Sequence, residues 1–420
     1  MKISPARIAA YEILTKIEKE KAFSSVLLPL AEEKLEAKDR GLCHEITLGT
    51  LRKQIYLDAI IEKLTNGKKI DSAVKIILRI ALYQLKFLDK IPAHAAINDA
   101  VNLVQIAKKT SAKGFVNAVL RRFTRENIEL SFADEIEKLS VETSHPKWLI
   151  EKWIAQFGFA ETAKLAEINN ETPKTSFRWT AKTSEAIKKS LENENIESEK
   201  KYLRELAEGG KIYFQDEASQ IVGNAVDLRE GEKFLDVCAA SGSKVTQISN
   251  FKFQISNLII AGDLYWQRVK ILQKNCKNQG VGFVNILQYD AENALPFADE
   301  SFDVVLLDAP CTGTGTIRHN PEIRYFLEKK DFAELARKQL KILRRASKLI
   351  KRGGRIIYST CSLETEENEA VASKFLSETD EFEKVSPALD EKFLTDENYA
   401  RTFPPRDGTD GFFVAVFRKK

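Results

Sequence analysis

The stretch LDVCAASGSKVTQI, residues 235–248, determines how the larger part of the chain is predicted to fold. It passes from an apolar strand through a loop of small residues into a helix. Small residues let the backbone approach a ligand, and the amides at a helix start favour an anionic group. The stretch therefore predicts a strand–loop–helix unit that binds a ligand.

The same alternation continues towards the C-terminus. Apolar strands, separated in most places by helical segments, are predicted at 233–237, 258–263, 303–308, 354–360 and 412–417. Alternating strands and helices predict an α/β domain with a doubly wound, mostly parallel sheet. Such sheets bind their ligands at the carboxyl ends of the strands, so functional residues are expected at that edge.

Residues 1–125 have a different pattern. Apolar side chains in DSAVKIILRIALYQLKFL, residues 71–88, recur at helical spacing, which predicts an all-α domain. This part carries 23 basic and 13 acidic residues, a net charge of +10, whereas residues 126–420 carry 42 and 48, a net charge of −6. The asymmetry favours a polyanionic partner, either RNA or an acidic protein surface, although basic charge can also serve only solubility.

These patterns divide the chain into four parts. We expect an all-α domain over 1–128, an acidic and polar connector over 129–145, a small α+β subdomain over 146–215 and the α/β domain over 216–420. No apolar run is long enough for a membrane span, and the N-terminal stretch lacks the pattern of a secretory signal. A cytoplasmic protein with no membrane partner is therefore expected.

The cysteines do not form a disulfide framework or a zinc pattern. They are too few and too scattered, and no metal site is predicted. The five are Cys43, Cys238, Cys276, Cys311 and Cys361. Any special cysteine is therefore expected to be reactive rather than structural.

Acidic residues at three strand ends favour a nucleoside ligand. Asp263 follows Gly242 by 21 residues and ends the next strand, where a carboxylate can accept hydrogen bonds from a ribose. Asp290 ends a predicted third strand, within reach of an adenine edge. A tight turn beside a solvated aspartate is the structural alternative. The cofactor-binding candidates are Cys238, Ala239, Ala240, Ser241, Gly242, Ser243, Lys244, Asp263, Asp290 and Asp308.

Two cysteines lie at strand ends beside this region. DVVLLDAPCTGTG contains Asp308 and Cys311, and GGRIIYSTCSLETEEN contains Cys361. A thiolate is the reactive form of cysteine and needs positive or dipolar support, which a helix starting after Cys361 could supply. A free cysteine usually acts as a small buried apolar side chain. This structural role fits Cys43 and Cys276 better than it fits Cys311 and Cys361.

These motifs carry a family resemblance. DAPCTGTG with STCSLETEEN resembles the RNA cytosine-5 methyltransferases that use S-adenosylmethionine, and LRIALYQLKFLDKIPAHAAINDAV with GFVNAVLRRF resembles the NusB-like domain. Together with SHPKWL, FQDEASQIV and PPRDGTDGFF, they make nearly the whole chain similar to the bacterial 16S ribosomal RNA methyltransferase B (Sun) family. The resemblance implies an RNA-binding NusB-like domain, an RNA-binding subdomain and a Rossmann-like catalytic domain. Its expected partner is 16S ribosomal RNA, not DNA, and the expected state is a monomer.

The resemblance also implies residue roles. Cys361 would attack C6 of a cytosine, Asp308 would hold the N3 edge of the base, and Cys311 would assist removal of the C5 proton and release of the adduct. Asp263 and Asp290 would contact the ribose and adenine of the cofactor. Lys244 would approach its methionine end.

The cofactor loop departs from the family pattern. CAASGSKV stands where the family usually has CAAPGGKT, so that Ser241, Ser243 and Val245 replace proline, glycine and threonine. A short duplication, QISNFKF followed by QISN over 247–257, comes directly after it. Both features concern the affinity for the cofactor more than the chemistry. Two alternatives stay open: a non-catalytic RNA-binding or ribosome-assembly factor, which the altered loop supports, and a transfer RNA cytosine-5 methyltransferase, against which the NusB-like domain argues.

Overall fold

A computed structural model describes residues 3–192, 200–249 and 258–420. The second copy of the sequence duplication, 254–257, and residues 250–253 of the first copy lie outside the described residues. The chain forms two compact units. The first comprises Met1–Thr172 and Ile317–Leu327, and the second comprises Pro173–Thr316 and Glu328–Lys420.

The helices are α1 Pro5–Glu20, α2 Ser24–Glu32, α3 Ala37–Arg52, α4 Gln54–Thr65, α5 Ser72–Phe87, α6 Ala93–Ile106, α7 Lys113–Arg125, α8 Glu135–Glu142, α9 Lys147–Phe157, α10 Phe159–Ile168, α11 Glu185–Glu192, α12 Lys200–Glu208, α13 Glu217–Asn224, α14 Ser243–Ile248, α15 Trp266–Asn278, α16 Ile323–Phe326, α17 Asp331–Lys348, α18 Glu369–Ser377 and α19 Pro404–Asp407. The strands are β1 Phe177–Trp179, β2 Ile212–Phe214, β3 Phe234–Asp236, β4 Ile259–Asp263, β5 Asn285–Gln288, β6 Phe302–Asp308, β7 Ile350–Thr360, β8 Phe382–Val385, β9 Ala400–Thr402 and β10 Phe412–Lys419.

The first unit is helical, as its periodicity predicts. Helix α5 is the centre of its core, because nearly all of its apolar side chains are buried against α1, α3, α4, α6 and α7. Asp71 caps the start of α5 by accepting a hydrogen bond from the Ala73 amide at 3.0 Å. None of the helices that the structure describes is long and apolar enough to cross a bilayer.

The second unit contains the predicted mixed sheet. Its strand order is β5-β4-β3-β6-β7-β10-β8, with β9 paired to β10. Strands β3 to β7 run parallel, and β10 runs antiparallel to β7 and β8. The apolar run of β6 is buried on both faces because α17 and α18 cover one side of the sheet and α13, α14 and α15 cover the other.

The topology fixes where a ligand binds. The chain order reverses between β3 and β6, which are neighbours in the sheet. A crevice forms outside the carboxyl ends of strands at such a switch point. The cofactor loop after β3 and the first cysteine loop after β6 therefore start side by side.

The predicted connector is more structured than its polar composition indicates. Asp134 accepts a hydrogen bond from the Glu137 amide at 2.6 Å and starts α8. Ser144 and His145, at its C-terminal end, are fully buried. Burial, and then the charge of Arg324, holds the pKa of His145 well below its ordinary value. The domain boundaries given above stay predictions.

The segment Ile317–Leu327 belongs to the first unit although its neighbours in sequence belong to the second. Arg324, fully buried, donates to the Asn169 carbonyl at 3.1 Å and to Asn170 Oδ1 at 2.9 Å. Glu322, also fully buried, accepts from the amide and hydroxyl of Ser24 at 2.6 and 2.9 Å. Buried charges held by such bonds fix the path of the segment.

Arg324→Met keeps the approximate length of the side chain and removes every donor. The variant leaves buried carbonyls unpaired, so we expect a loss of about 3 kcal/mol in the free energy of unfolding. The midpoint of urea unfolding measures this loss. Arg337→Met, at an exposed position of α17, is the matched control and should change the free energy by under about 0.5 kcal/mol. Equal effects of the two variants would contradict the anchoring role.

Candidate active site

Cys311 and Cys361 meet at the edge of the sheet. Strands β6 and β7 pair in parallel with Asp308 opposite Ser359, so the loops that follow them begin together. The two Sγ atoms lie 3.3 Å apart, and both cysteines are free and partly buried. The sequence-predicted pair therefore forms one cluster.

Asp308 links this cluster to the cofactor loop. Its Oδ2 accepts a hydrogen bond from Lys244 Nζ at 2.6 Å, and its Oδ1 accepts from Ser359 Oγ at 2.8 Å. Burial disfavours the Lys244 charge, but the attraction of Asp308 outweighs it and raises the pKa of Lys244. The ammonium also lies 5.2 Å from the centroid of the Phe412 ring. Lys244 is therefore a charged partner of Asp308.

The two thiols have different surroundings. A hydrogen bond with Cys361, followed by burial, raises the pKa of Cys311 well above its ordinary value. Cys311 therefore keeps its proton at neutral pH and can donate it towards the Cys361 sulfur. The charge of Cys361 also contributes to the raised pKa of Lys244.

Glu367 is a site residue that the sequence reasoning missed. It is fully buried, and its Oε1 accepts from the Thr312 amide at 3.0 Å and from Gln339 Nε2 at 2.9 Å. Its Oε2 accepts from Ser362 Oγ at 2.5 Å and also from the Thr312 hydroxyl. Glu367 thus ties the residue after Cys311 to the residue after Cys361. Its position six residues after Cys361, inside the quoted motif, was the available signal.

A helix follows Cys361, as predicted, but α18 begins at Glu369, eight residues further on. The intervening loop is instead fixed by side chains, since Asn368 Nδ2 donates to the Ser362 carbonyl at 2.8 Å and Asn368 Oδ1 accepts from Thr360 Oγ1 at 2.5 Å. The nearby positive charge is therefore Lys244 rather than a helix N-terminus.

The cofactor loop turns tightly between β3 and α14. Gly242 has φ +102°, and a Cβ there would lie 2.8 Å from a methyl group of Leu272, so glycine is required. The Ala239 amide donates to the Gly262 carbonyl at 2.8 Å, and the Asn275 side chain donates to the Ser241 carbonyl at 2.9 Å. Ser241 is therefore held in place despite the departure from the family pattern.

The two predicted nucleoside contacts differ in their surroundings. Asp263, 4% exposed, accepts from the Ala240 amide at 3.2 Å and so joins the end of β4 to the cofactor loop. Asp290 accepts from the Glu292 amide at 2.9 Å and from Asn293 Nδ2 at 2.7 Å. Asp290 therefore fixes its own turn, and its contact with an adenine stays a prediction.

Asp236, at the end of β3, is a second residue that the sequence reasoning missed. It is 1% exposed, and apart from an interaction with the Cys238 amide its carboxylate oxygens have no hydrogen-bond partner among the described residues. Burial, and then repulsion from Asp308, raises the pKa of Asp236 to about 8. Orphaned buried carboxylate oxygens are expensive unless a ligand donates to them.

The arginines at the end of α7 have local partners. Arg122 forms an ion pair with Glu126 at 2.8 Å and donates to the Leu64 carbonyl at 2.8 Å, which caps α4. Arg121 donates to Asn117 Oδ1 at 3.1 Å. This part of the basic charge therefore stabilises helices as well as contributing to the net charge.

Family models match three parts of the chain. The model described as 16S rRNA methyltransferase RsmB/F matches residues 224–418, and the NusB family model matches residues 4–125. A ferredoxin-like domain described as Methyltr_RsmF/B-like matches residues 145–210. The sheet, the loop after β3 and these matches define the class, that of methyltransferases that depend on S-adenosylmethionine.

Curated relatives match over the full length. A probable ribosomal RNA small subunit methyltransferase B of Bacillus subtilis is 34% identical, with 100% of both chains covered. The ribosomal RNA small subunit methyltransferase B of Pseudomonas putida is 32% identical, with 98% of both covered. The crystal structure of PH0851 superposes with a TM-score of 0.83 at 26% identity, with 100% of both chains covered. The chain belongs to the ribosomal RNA small subunit methyltransferase B family.

The raised pKa of Asp236 predicts a pH dependence of stability. The folded protein keeps the Asp236 proton up to about pH 8, whereas the unfolded chain releases it near 3.8. The contribution of Asp236 to the free energy of unfolding is therefore fully present below pH 3.8. Between that pH and about pH 8 it falls by about 1.4 kcal/mol per pH unit, because only the unfolded chain releases the proton. Asp236→Asn should remove that slope.

Urea unfolding of both proteins between pH 5.5 and 9 measures the difference. The advantage of the wild type over Asp236→Asn should shrink up to about pH 8 and then level off. A difference that is constant over the whole range would contradict the protonated, buried state of Asp236.

Proposed function

We propose that this protein methylates C5 of a cytosine in 16S ribosomal RNA through a covalent adduct between Cys361 and C6. The observation that carries the proposal is the 3.3 Å approach of Cys311 and Cys361 beside Asp308. C5 of cytosine is a weak nucleophile until a thiolate adds to C6, so the chemistry needs a cysteine at this place. A target base must also leave its stack to reach the sheet edge.

Each residue of the cluster has a role in this reaction. Cys361 forms the S–C6 bond. Asp308 is engaged with Lys244 and Ser359, but its side chain is 26% exposed, and a carboxylate has further lone pairs that can accept from N4–H of a cytosine and from N3–H of its protonated form. After C5 has gained the methyl group, its proton passes to Cys311 and the C5–C6 double bond re-forms. Cys361 leaves as its sulfur receives the thiol proton that Cys311 held, which the 3.3 Å distance between the two sulfurs permits.

The residues around the cofactor loop fit S-adenosylmethionine. The cofactor supplies an electrophilic methyl group and carries positive charge on its sulfonium and ammonium groups. Asp236, Asp263 and Asp308 lie close enough to interact by charge, and a cation bound beside them would favour the ionised form of Asp236. Asp263 at the end of β4 is placed to accept from the ribose.

The substrate proposal rests on the relatives and on charge. The matched relatives are named as methyltransferases of ribosomal RNA of the small subunit. The NusB match coincides with the part of the chain that carries a net charge of +10. Phosphate contacts of such a domain add affinity and orientation without reading bases.

The non-catalytic alternative rests on the altered cofactor loop. Ser241 lies in a loop that is hydrogen-bonded to β4 through the Ala239 and Ala240 amides. Ser243 and Val245 lie in the first turn of α14, where Val245 is fully buried in the core. Asp308, Cys311 and Cys361 remain together. These contacts favour the enzyme.

The two cysteines should fail in different ways. Cys361→Ala lacks the nucleophile, so neither methyl transfer nor a covalent RNA complex is expected. Cys311→Ala still allows attack and methylation but stalls release, so a protein–RNA band should persist through denaturing electrophoresis. Cys276→Ala, which changes a buried cysteine on α15, is the control and should behave as the wild type in both assays.

Other patterns would contradict this division. A trapped complex with Cys361→Ala and none with Cys311→Ala would reverse the two roles. Intact methylation in both variants without any complex would refute covalent catalysis.

Bisulfite sequencing identifies the substrate. Cells that lack the gene should lose one 5-methylcytosine from 16S ribosomal RNA, and expression of the wild type, but not of Cys361→Ala, should restore it. Loss of a transfer RNA site instead would support the alternative substrate. No loss in either RNA would support the non-catalytic reading.

A further inference from the structure

Arg178 connects the small subdomain to the start of α14. It lies on β1, is 7% exposed, and donates from Nη2 to the Ser243 carbonyl at 3.1 Å and to Thr246 Oγ1 at 2.6 Å. Thr246 Oγ1 itself donates to the Gly242 carbonyl at 2.6 Å. The hydrogen bonds of Arg178 therefore reach the turn that ends the cofactor loop.

The remaining contacts of Arg178 extend to a second helix. Nη2 also donates to Gln279 Oε1 at 2.8 Å, directly after α15, and Nε donates to Gln215 Oε1 at 2.7 Å. The guanidinium carbon lies 5.1 Å from the centroid of the Tyr213 ring on β2. One side chain thus joins the β1–β2 sheet to the helix that follows the cofactor loop and to the helix that follows Asp263.

The charge of Arg178 makes these contacts hard to break. Within the described part of the chain, its hydrogen-bond acceptors are all neutral oxygens. Burial lowers the pKa of Arg178 to about 10, so the side chain remains charged at neutral pH. A shift of α14 would leave donors of a buried cation unpaired, which is costly.

We propose that Arg178 is a positioning residue for the cofactor loop, so that the affinity for S-adenosylmethionine depends on a side chain of the small subdomain. Arg178 does not touch the reacting groups. Its hydrogen bonds to the Ser243 carbonyl and to Thr246 hold the first turn of α14, which also carries Lys244. The proposal rests on the proposed assignment of the 238–244 loop and Asp263 to the cofactor.

The altered loop makes such outside support more important. Ser241 has no ring to fix its backbone where the family has proline. The Arg178 contacts use a main-chain carbonyl and a threonine hydroxyl, which the replacements at 241, 243 and 245 leave in place. The Arg178 contacts therefore compensate for the rigidity that the loop lacks without a proline at 241.

Arg178→Lys tests the proposal because it keeps the charge but loses the planar fork of donors. Calorimetry on the full-length protein should show a dissociation constant for S-adenosylmethionine raised about tenfold, the effect of one or two lost charged hydrogen bonds. The KM for the cofactor should rise in parallel, while kcat at saturating cofactor stays within about twofold. Amides of 243–248 should exchange hydrogen faster.

Thr180→Val is the matched control. Thr180, next to β1 and 7% exposed, donates to the Gly210 carbonyl at 2.6 Å. The variant therefore removes a buried hydrogen bond of the same subdomain whose acceptor lies outside α14. Its dissociation constant for the cofactor should equal that of the wild type. If Arg178→Lys does not fold, Thr246→Val removes the main acceptor at nearly constant shape and should also weaken cofactor binding severalfold.

Asp263→Asn separates this proposal from the function on which it rests. Weaker binding by Asp263→Asn with wild-type binding by Arg178→Lys and Thr246→Val would overturn the positioning role and leave the cofactor site intact. Equal weakening by Arg178→Lys and Thr180→Val would show general loosening and would also overturn it. Wild-type binding by Asp263→Asn would refute the cofactor assignment itself.

Discussion

The ion pair between Lys244 and Asp308 joins the two halves of the candidate site. Lys244 lies in the first turn of α14, which follows β3, and Asp308 ends β6, so the pair spans the switch point of the sheet. The two groups are 2.6 Å apart, and the Lys244 side chain is buried. Loss of either partner would leave the other charge unpaired, which is costly for a buried group. The parallel pairing of β3, β6 and β7 makes this contact, and hence the closeness of cofactor loop and cysteines, a consequence of the topology.

Much of this arrangement could be predicted from the sequence. The apolar runs of β3, β4, β6, β7 and β10 are long enough to identify the strands, and residues that end parallel strands must share an edge. That rule predicts that Cys311 lies near Cys361. The helical first unit followed from the spacing of apolar residues in α5.

The rest depended on packing between distant parts of the chain. No periodic pattern shows that Glu367 would hold both cysteine loops, or that Asp236 would be buried with its oxygens largely unpaired. Ile317–Leu327 joins the first unit through buried Glu322 and Arg324, which composition marks as surface residues. Buried charged residues of this kind are rare. They occur where a hydrogen-bond network fixes the arrangement of neighbouring segments.

The most direct test of the covalent mechanism uses RNA that contains 5-fluorocytidine at the target position. Fluorine at C5 cannot leave as a proton does, so an adduct formed by the wild-type enzyme with S-adenosylmethionine should persist. Mass spectrometry of the digested complex should find the modified nucleotide on the peptide that contains Cys361. A nucleotide attached to Cys311, or a methylating enzyme that forms no adduct, would contradict the account.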